Sequence, residues 1–394
     1  MADLVLSATA APLSPAIGRN GGTDFVAVWT EVGQSAIRGQ VIAATGTTRG
    51  EQFVVNTTEG THALPAVAAG TLDFVVPMFV VVWLTEASAG RAVVLQRFRA
   101  DGEKIAGEIR VNTTDVSMDH APAVARLVDG NFVISWVSAD LTDGIRARIY
   151  APDGTPLESD FRVATSEGVH VGPVGIGALQ NNSFVIAWQG GTSFASTSAL
   201  LQTFGPEGAR IGPEKRPNFV GFTGDMAVAG LSSAGSDADT GRFVIVYSSS
   251  AGGSEERLVV GHGFSPDGEM GDGFNVTHRS DQSIGLDVTV TALPGASFVV
   301  AWTERKVAHV GDKTANNAKA AVCSEATASQ PPSGAVVSTS TSGDQRLPCV
   351  VASLGELGLR VAFAWLDDSV SGADSANRSV QARVLSADLR PVEP

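Results

Sequence analysis

Cysteine is almost missing from this chain: 394 residues hold only 2. That excludes a disulfide scaffold. Cys323 and Cys349 fall on non-neighbouring strands in the register derived below and are not expected to pair. Basic residues are also short, with 27 Lys and Arg against 41 Asp and Glu, for a net charge of −14. The most basic stretch, Lys215–Arg216, is a mere pair. Phosphate recognition needs clustered Lys and Arg, so a nucleic-acid partner is excluded. The longest apolar run, Phe74–Leu84, is too short to cross a bilayer and is broken by Pro77, so no membrane span is expected. The start, Met1–Leu6, lacks the basic opening and apolar core of a signal peptide, which leaves a cytosolic chain or one whose leader has been removed. Catalytic grammar is absent too: no G-x-S-x-G elbow, H-E-x-x-H, P-loop or C-x-x-C occurs. Ser138-Ala139-Asp140 and Ser265-Pro266-Asp267-Gly268 only graze the Asp box of sialidases. Ser236–Thr240 lacks the grammar of a calcium loop. No catalytic residue, metal or cofactor is expected.

Aromatics make up only 6% of the chain, yet they follow a rule. An apolar run ending in an aromatic occurs seven times: Phe25–Trp29, Phe79–Trp83, Phe132–Trp136, Phe184–Trp188, Phe243–Tyr247, Phe298–Trp302 and Val361–Trp365. All six tryptophans take the last position (Trp29, Trp83, Trp136, Trp188, Trp302, Trp365), and Tyr247 takes the seventh. Successive aromatics lie 54, 53, 52, 59, 55 and 63 residues apart. From Trp365 through the two termini to Trp29 is 58 residues, one more repeat length. A period of that size marks a repeat architecture, and a wrap of the same size marks a ring.

The third repeat shows the unit. Ala121–Leu127 reads as strand A, and Asp129-Gly130 as a tight turn. Asn131–Val137 reads as strand B, Ile145–Tyr150 as strand C and Phe161–Ala164 as strand D, with a turn at Pro152-Asp153-Gly154. Strand A recurs at Ser14–Ile17, Pro65–Ala69, Leu286–Leu293 and Leu347–Leu354. Strand D recurs at Phe53–Asn56, Ile109–Asn112 and Phe274–Thr277. Four short antiparallel strands make a propeller blade. The expected fold is all-β: one seven-bladed β-propeller spanning residues 1–394, four antiparallel strands per blade. Strand B is apolar on both faces. Phe132, Ile134 and Trp136 point one way, Val133 and Ser135 the other, so both faces must be covered. The aromatic stripe is therefore expected between blades rather than against a ligand. The chain ends on a C strand, Val380–Ser386, and opens on the unclaimed strand Leu4–Ala8. That strand is expected to complete the last blade in a 1 + 3 closure.

The consensus VNTT, APAVARL, DGNFVISW, ARIYAPDGTPL and FRV resembles the repeats, about fifty residues long, of large bacterial surface and RTX-type secreted proteins. The resemblance covers nearly the whole chain and is strongest over Ile109–Thr165. It implies a propeller and an extracellular or cell-surface setting rather than a cytoplasmic one. It carries no catalytic motif. The glycine-aspartate nonapeptides that bind calcium in RTX proteins are missing, so calcium is not implied.

One positional signal suggests a site. His62, His120 and His170 each precede a proline near the start of strand A (Pro65, Pro122, Pro173). Asp225, Asp281 and Asp344 fall near the same place in later blades. These D-to-A crossings share a rim with the B-to-C loops, two of which, Thr303–Asn317 and Leu366–Ser379, are the longest. Imidazoles and carboxylates converging there would bind a polar ligand; solvated loop residues copied with the repeat would look the same. Sequons occur at Asn56, Asn112, Asn181, Asn275 and Asn377. The expected function is a non-catalytic recognition or scaffold propeller binding a protein or glycan through this rim. The alternatives are a structural subunit of a larger extracellular or organellar assembly, which an exposed apolar patch at Phe74–Met78 would favour, and an enzyme with a His/Asp pocket at the channel mouth.

Overall fold

The computed structural model describes residues 3–7, 12–32, 35–72, 75–140, 143–193, 197–232, 241–250, 257–277, 283–306, 316–324, 334–339, 344–368 and 378–392. Among these, the chain is all β: a ring of seven blades, each a four-stranded antiparallel sheet. The blades run Pro12–Val54, Thr61–Arg110, Ala123–Arg162, Val169–Lys215, Phe222–Asn275, Ser283–Val336 and Gln345–Ser386. No helix is long and apolar enough to cross a membrane.

The N-terminal strand, Leu4–Ser7, closes the ring. It pairs antiparallel with the C strand of blade 7, Leu4 opposite Ala382 and Val5 opposite Gln381. The last sheet thus takes one strand from one end of the chain and three from the other. Both sheet edges that would otherwise be left open are removed.

Period-two alternation decides which neighbour each side chain of strand B meets. Phe132, Ile134 and Trp136 pack against Met78, Val80 and Val82 of blade 2. Val133 and Val137 pack against Phe184, Ile186 and Trp188 of blade 4. The same exchange fills every wall, including the wall between blades 7 and 1, where Phe25, Ala27 and Trp29 meet Ala362, Ala364 and Leu366. Leu6 of the closing strand is buried in that cluster. The six tryptophans and Tyr247 are at most 2% exposed.

The D strands end earlier than the motif predicts. They span Thr48–Val54, Lys104–Arg110 and Met270–Asn275, and Phe161–Arg162 in blade 3. Past three of these ends one more backbone bond forms and a side chain then takes over from the ladder. Asn56 Oδ1 accepts the Ile37 N–H at 2.9 Å, Asn112 Oδ1 accepts the Val93 N–H at 2.8 Å, and Thr277 Oγ1 accepts the Val259 N–H at 3.0 Å. The recurring Asn thus finishes the C strand's pairing where the D strand turns away.

The residues at or after that position are held by an acid in, or just before, the outer strand of the next blade. Glu108 takes the Thr57 and Thr58 N–H groups, and Asp160 takes Thr113. Glu214 takes Thr165 and Ser166. Burial alone would raise the Glu214 carboxyl, but the bonds from Ser166 and Thr165 outweigh it and lower it. Between blades 6 and 7 the acid is Asp3, beside the closing strand, which accepts from Thr339 N–H at 2.7 Å and Thr339 Oγ1 at 2.6 Å. The N-terminal strand therefore brings its own copy of the clasp to the blade it completes.

Candidate functional site at the channel mouth

Strand A lines the centre of the ring, and near its start it is bulged in most blades. Register shifts lie between Leu13 and Ala16, Ala63 and Ala66, Phe222 and Met226, Leu286 and Thr289, and Arg346 and Cys349. Ser14, Leu64, Asp287 and Leu347 take φ of 49°, 55°, 52° and 52° there, and Gly224 takes 110°. Left-handed non-glycine residues cost about 1 kcal/mol or more each and persist only where their surroundings impose them. Here the imposing feature is the bulge, and residues at or just after it, among them Pro15, Asp225, Asp287 and Pro348, line one cavity.

The three histidines do not form a set. His62 pairs with Thr85 and His170 with Gly190, each opposite the residue two beyond its blade's tryptophan. The equivalent position of blade 3 is Val116, which bridges Ser138. His62 and His170 are buried, and each accepts its own tryptophan's indole N–H on Nδ1, from Trp83 at 3.2 Å and Trp188 at 3.1 Å. Their Nε2 atoms face the carbonyls of Thr58 at 2.9 Å and Ser166 at 3.0 Å. This arrangement assigns the proton to Nε2, and burial lowers the His62 imidazole from its ordinary value. Both rings are thus engaged inside the walls, each with its own tryptophan and a backbone carbonyl. His120 is half-buried in the crossing ahead of strand A, where a Cβ on Gly172 of blade 4 would stand 2.2 Å from its ring. Burial lowers its pKa as well.

The acids divide differently. Asp281 lies outside the described residues. Asp344 is tied to its own rim loops: its Oδ1 accepts the Asn316 N–H at 3.0 Å and its carbonyl accepts the Asp368 N–H at 2.8 Å. Asp225 does reach the mouth, and Asp287, which the motif argument missed, joins it. The backbone N–H of Asp287 donates to the Asp225 carboxylate. Asp287 Oδ2 accepts from Thr303 Oγ1 at 2.8 Å, and that hydroxyl accepts the Leu347 N–H at 3.1 Å. Burial, then the neighbouring Asp287 charge, raise the Asp225 carboxyl above its ordinary 3.8. No sequence signal marks Asp287, because only the bulge aims it inward.

Asp225 and Asp287 line a cavity of about 260 Å³ with Pro15, Met226, Val288, Leu347, Pro348 and Cys349. Two carboxylates therefore stand beside an apolar wall drawn from the A strands of blades 1, 5, 6 and 7. The Cys349 thiol is pushed up to about 12, chiefly by burial, and its Sγ lies 3.3 Å from the Ala364 carbonyl, so it offers no ready thiolate. The described residues hold no cluster of three or more metal-ligating side chains.

Of the sequons, Asn112 is 3% exposed with both ends of its carboxamide bonded, so the folded chain cannot present it. Asn275 is exposed, and Asn377 lies outside the described residues. In the segment Phe74–Met78, Val75 is 79% exposed and Met78 is fully buried, while Phe74 lies outside the described residues. Most of each long rim loop, Thr303–Asn317 and Leu366–Ser379, lies outside them too, as does Ser236–Thr240.

No protein-family model and no curated protein matches the sequence. Solved structures do match in fold. A polysaccharide lyase, ulvan lyase, superposes with a TM-score of 0.56 at 10% identity, covering 99% of this chain and 95% of its own. An α-L-arabinofuranosidase from Fusarium graminearum gives 0.53 at 11% identity, with 84% and 99% covered. A protein of unknown function from Dyadobacter fermentans gives 0.51 at 11% identity, with 98% and 97% covered. At these identities the likeness is one of fold: the chain shares its propeller with proteins that include glycan-acting enzymes.

Proposed function

We propose that this chain is a non-catalytic recognition propeller that binds a glycan at the channel mouth. The observation that carries the reading is the pairing of Asp225 and Asp287 beside the apolar wall of Pro15, Val288, Leu347 and Pro348. Carboxylates accept hydrogen bonds from sugar hydroxyls, and an apolar wall takes the C–H face of the ring. The resemblance to surface-protein repeats supports an extracellular or cell-surface setting. A second reading, hydrolysis of a glycosidic bond, is favoured by one fact: two carboxylates share a site and one of them is raised, as an acid–base pair requires.

A glycan array separates the two. Recognition predicts retention of a defined glycan by the parent, at least tenfold weaker binding by Asp225→Asn and Asp287→Asn, and no release of reducing sugar from the captured glycan. Release that stops in Asp225→Asn would establish the enzyme reading instead. Retention unchanged by both variants would remove the channel mouth as the site.

A further inference from the structure

A second cavity, of about 430 Å³, lies on the opposite rim, in the wall where the ring closes. Blade 1 contributes Thr23 and Asp24 from its A-to-B connection, Ala43 to Thr45 from its C-to-D turn, and Arg49. Blade 7 contributes Ser353, the turn from Gly355 to Gly358, and Arg360. The volume falls in the range of small-ligand clefts.

The polar groups on the blade 1 side are satisfied. Asp24 Oδ1 accepts the Ala44 N–H at 3.0 Å, and its Oδ2 pairs with Arg49 at 3.1 Å. Those on the blade 7 side are not. Ser353 is 3% exposed, and its Oγ has no hydrogen-bond partner among the described residues. Among the described residues Arg360 forms no ion pair; its Nε is buried without an acceptor, and its Nη1 reaches the Leu359 carbonyl at 3.4 Å. Ser353 and Arg360 stand directly opposite each other in the hairpin, so both side chains leave the sheet on one face. A buried hydroxyl and a buried guanidinium Nε left without an acceptor are each costly, and here both residues line the same cavity.

We propose that this cavity is a second binding site, for a small polyhydroxylated carboxylate such as a uronic acid. The planar guanidinium of Arg360 takes the carboxylate through two parallel N–H donors. The Ser353 and Thr23 hydroxyls take the ring hydroxyls. The charge balance favours a monoanion: Arg49 is already neutralised by Asp24, and the exposed Glu356 at the mouth opposes a doubly charged phosphate. The site does not depend on the channel mouth, and no residue lines both cavities.

The test is calorimetric titration of the full chain with glucuronate, glucose and inorganic phosphate. Glucuronate binds the parent, and Arg360→Gln and Ser353→Ala each weaken it at least tenfold, whereas Asp225→Asn leaves it unchanged. Glucose and phosphate do not compete. Arg360→Lys keeps the charge without the fork and recovers only part of the affinity. Neither Arg360→Gln nor Ser353→Ala melts below the parent, because each removes a buried polar atom that has no partner among the described residues. No glucuronate binding by the parent overturns the proposal. Equal binding by Arg360→Gln, loss in Asp225→Asn, or displacement by phosphate does the same.

Discussion

The walls between blades and the mouth of the channel are built from neighbouring stretches of the same sheets, yet they obey different rules. A wall is regular. Strand B sends alternate side chains to its two neighbours, and seven apolar clusters repeat one exchange around the ring. The mouth is irregular. Bulged A strands bring Pro15, Leu347 and Pro348 to the same cavity as Asp225 and Asp287. A wall gains from every repeat being alike, because each face must fit the next. The mouth gains from blades being unlike, because seven identical residues around an axis would offer one chemistry only. Function belongs where the copies diverge.

That contrast breaks first at the closure. Deleting residues 1–9 removes Leu6 from its cluster, the Asp3 clasp and a whole edge pairing, so the melting temperature should fall by well over ten degrees. Asp267→Asn, at an exposed C-to-D turn, should leave it within a degree or two. Equal effects would show that the ring closes without the strand. Next comes a single wall. Trp136→Ala should cost about 3–5 kcal/mol in urea unfolding, as expected for an aromatic truncated in a full core. Asp225→Asn at the mouth should not lower stability at neutral pH and, because it removes a charge that burial penalises, should raise it slightly. A Trp136→Ala cost below about 1 kcal/mol would mean the walls can collapse around the gap.

The smallest and sharpest contrast is pH. His62 is held below its ordinary 6.5, chiefly by burial, so its contribution is complete above 6.5 and is lost as pH falls through the lower folded value. Asp225 is held above 3.8, so the folded state pays for its charge above the raised value, and that penalty disappears as pH falls towards 3.8. Unfolding midpoints across pH should therefore show His62→Gln losing less stability than the parent below 6.5. Asp225→Asn should gain stability at neutral pH, with the gain vanishing in acid. A gain that persists in acid would place its cause elsewhere than in the Asp225 charge.

The blades were legible from sequence because their cause is periodic. Phe132 to Trp136 alternate, Asp129-Gly130 turns, and both facts hold in one dimension. The ends of the D strands were not legible. Asn56 and Asn112 look like strand residues, but their side chains stand in for a ladder the backbone has left. The histidines misled for a related reason. An offset of two or three residues from a proline suggested a shared place, but Val116, four residues before His120, holds the position that His62 and His170 occupy.

The sequence alone determined the seven-fold count, the covered faces of strand B and the ring closed by its own N-terminal strand. All three follow from spacing and alternation, which act along the chain. Tertiary structure alone decided that His62 and His170 serve the tryptophans, that Asp287 joins Asp225, and that Arg360 and Ser353 line one cavity. Each of those depends on a bulge, a turn or a neighbouring blade that brings together residues far apart in the chain, and no one-dimensional pattern encodes such a meeting.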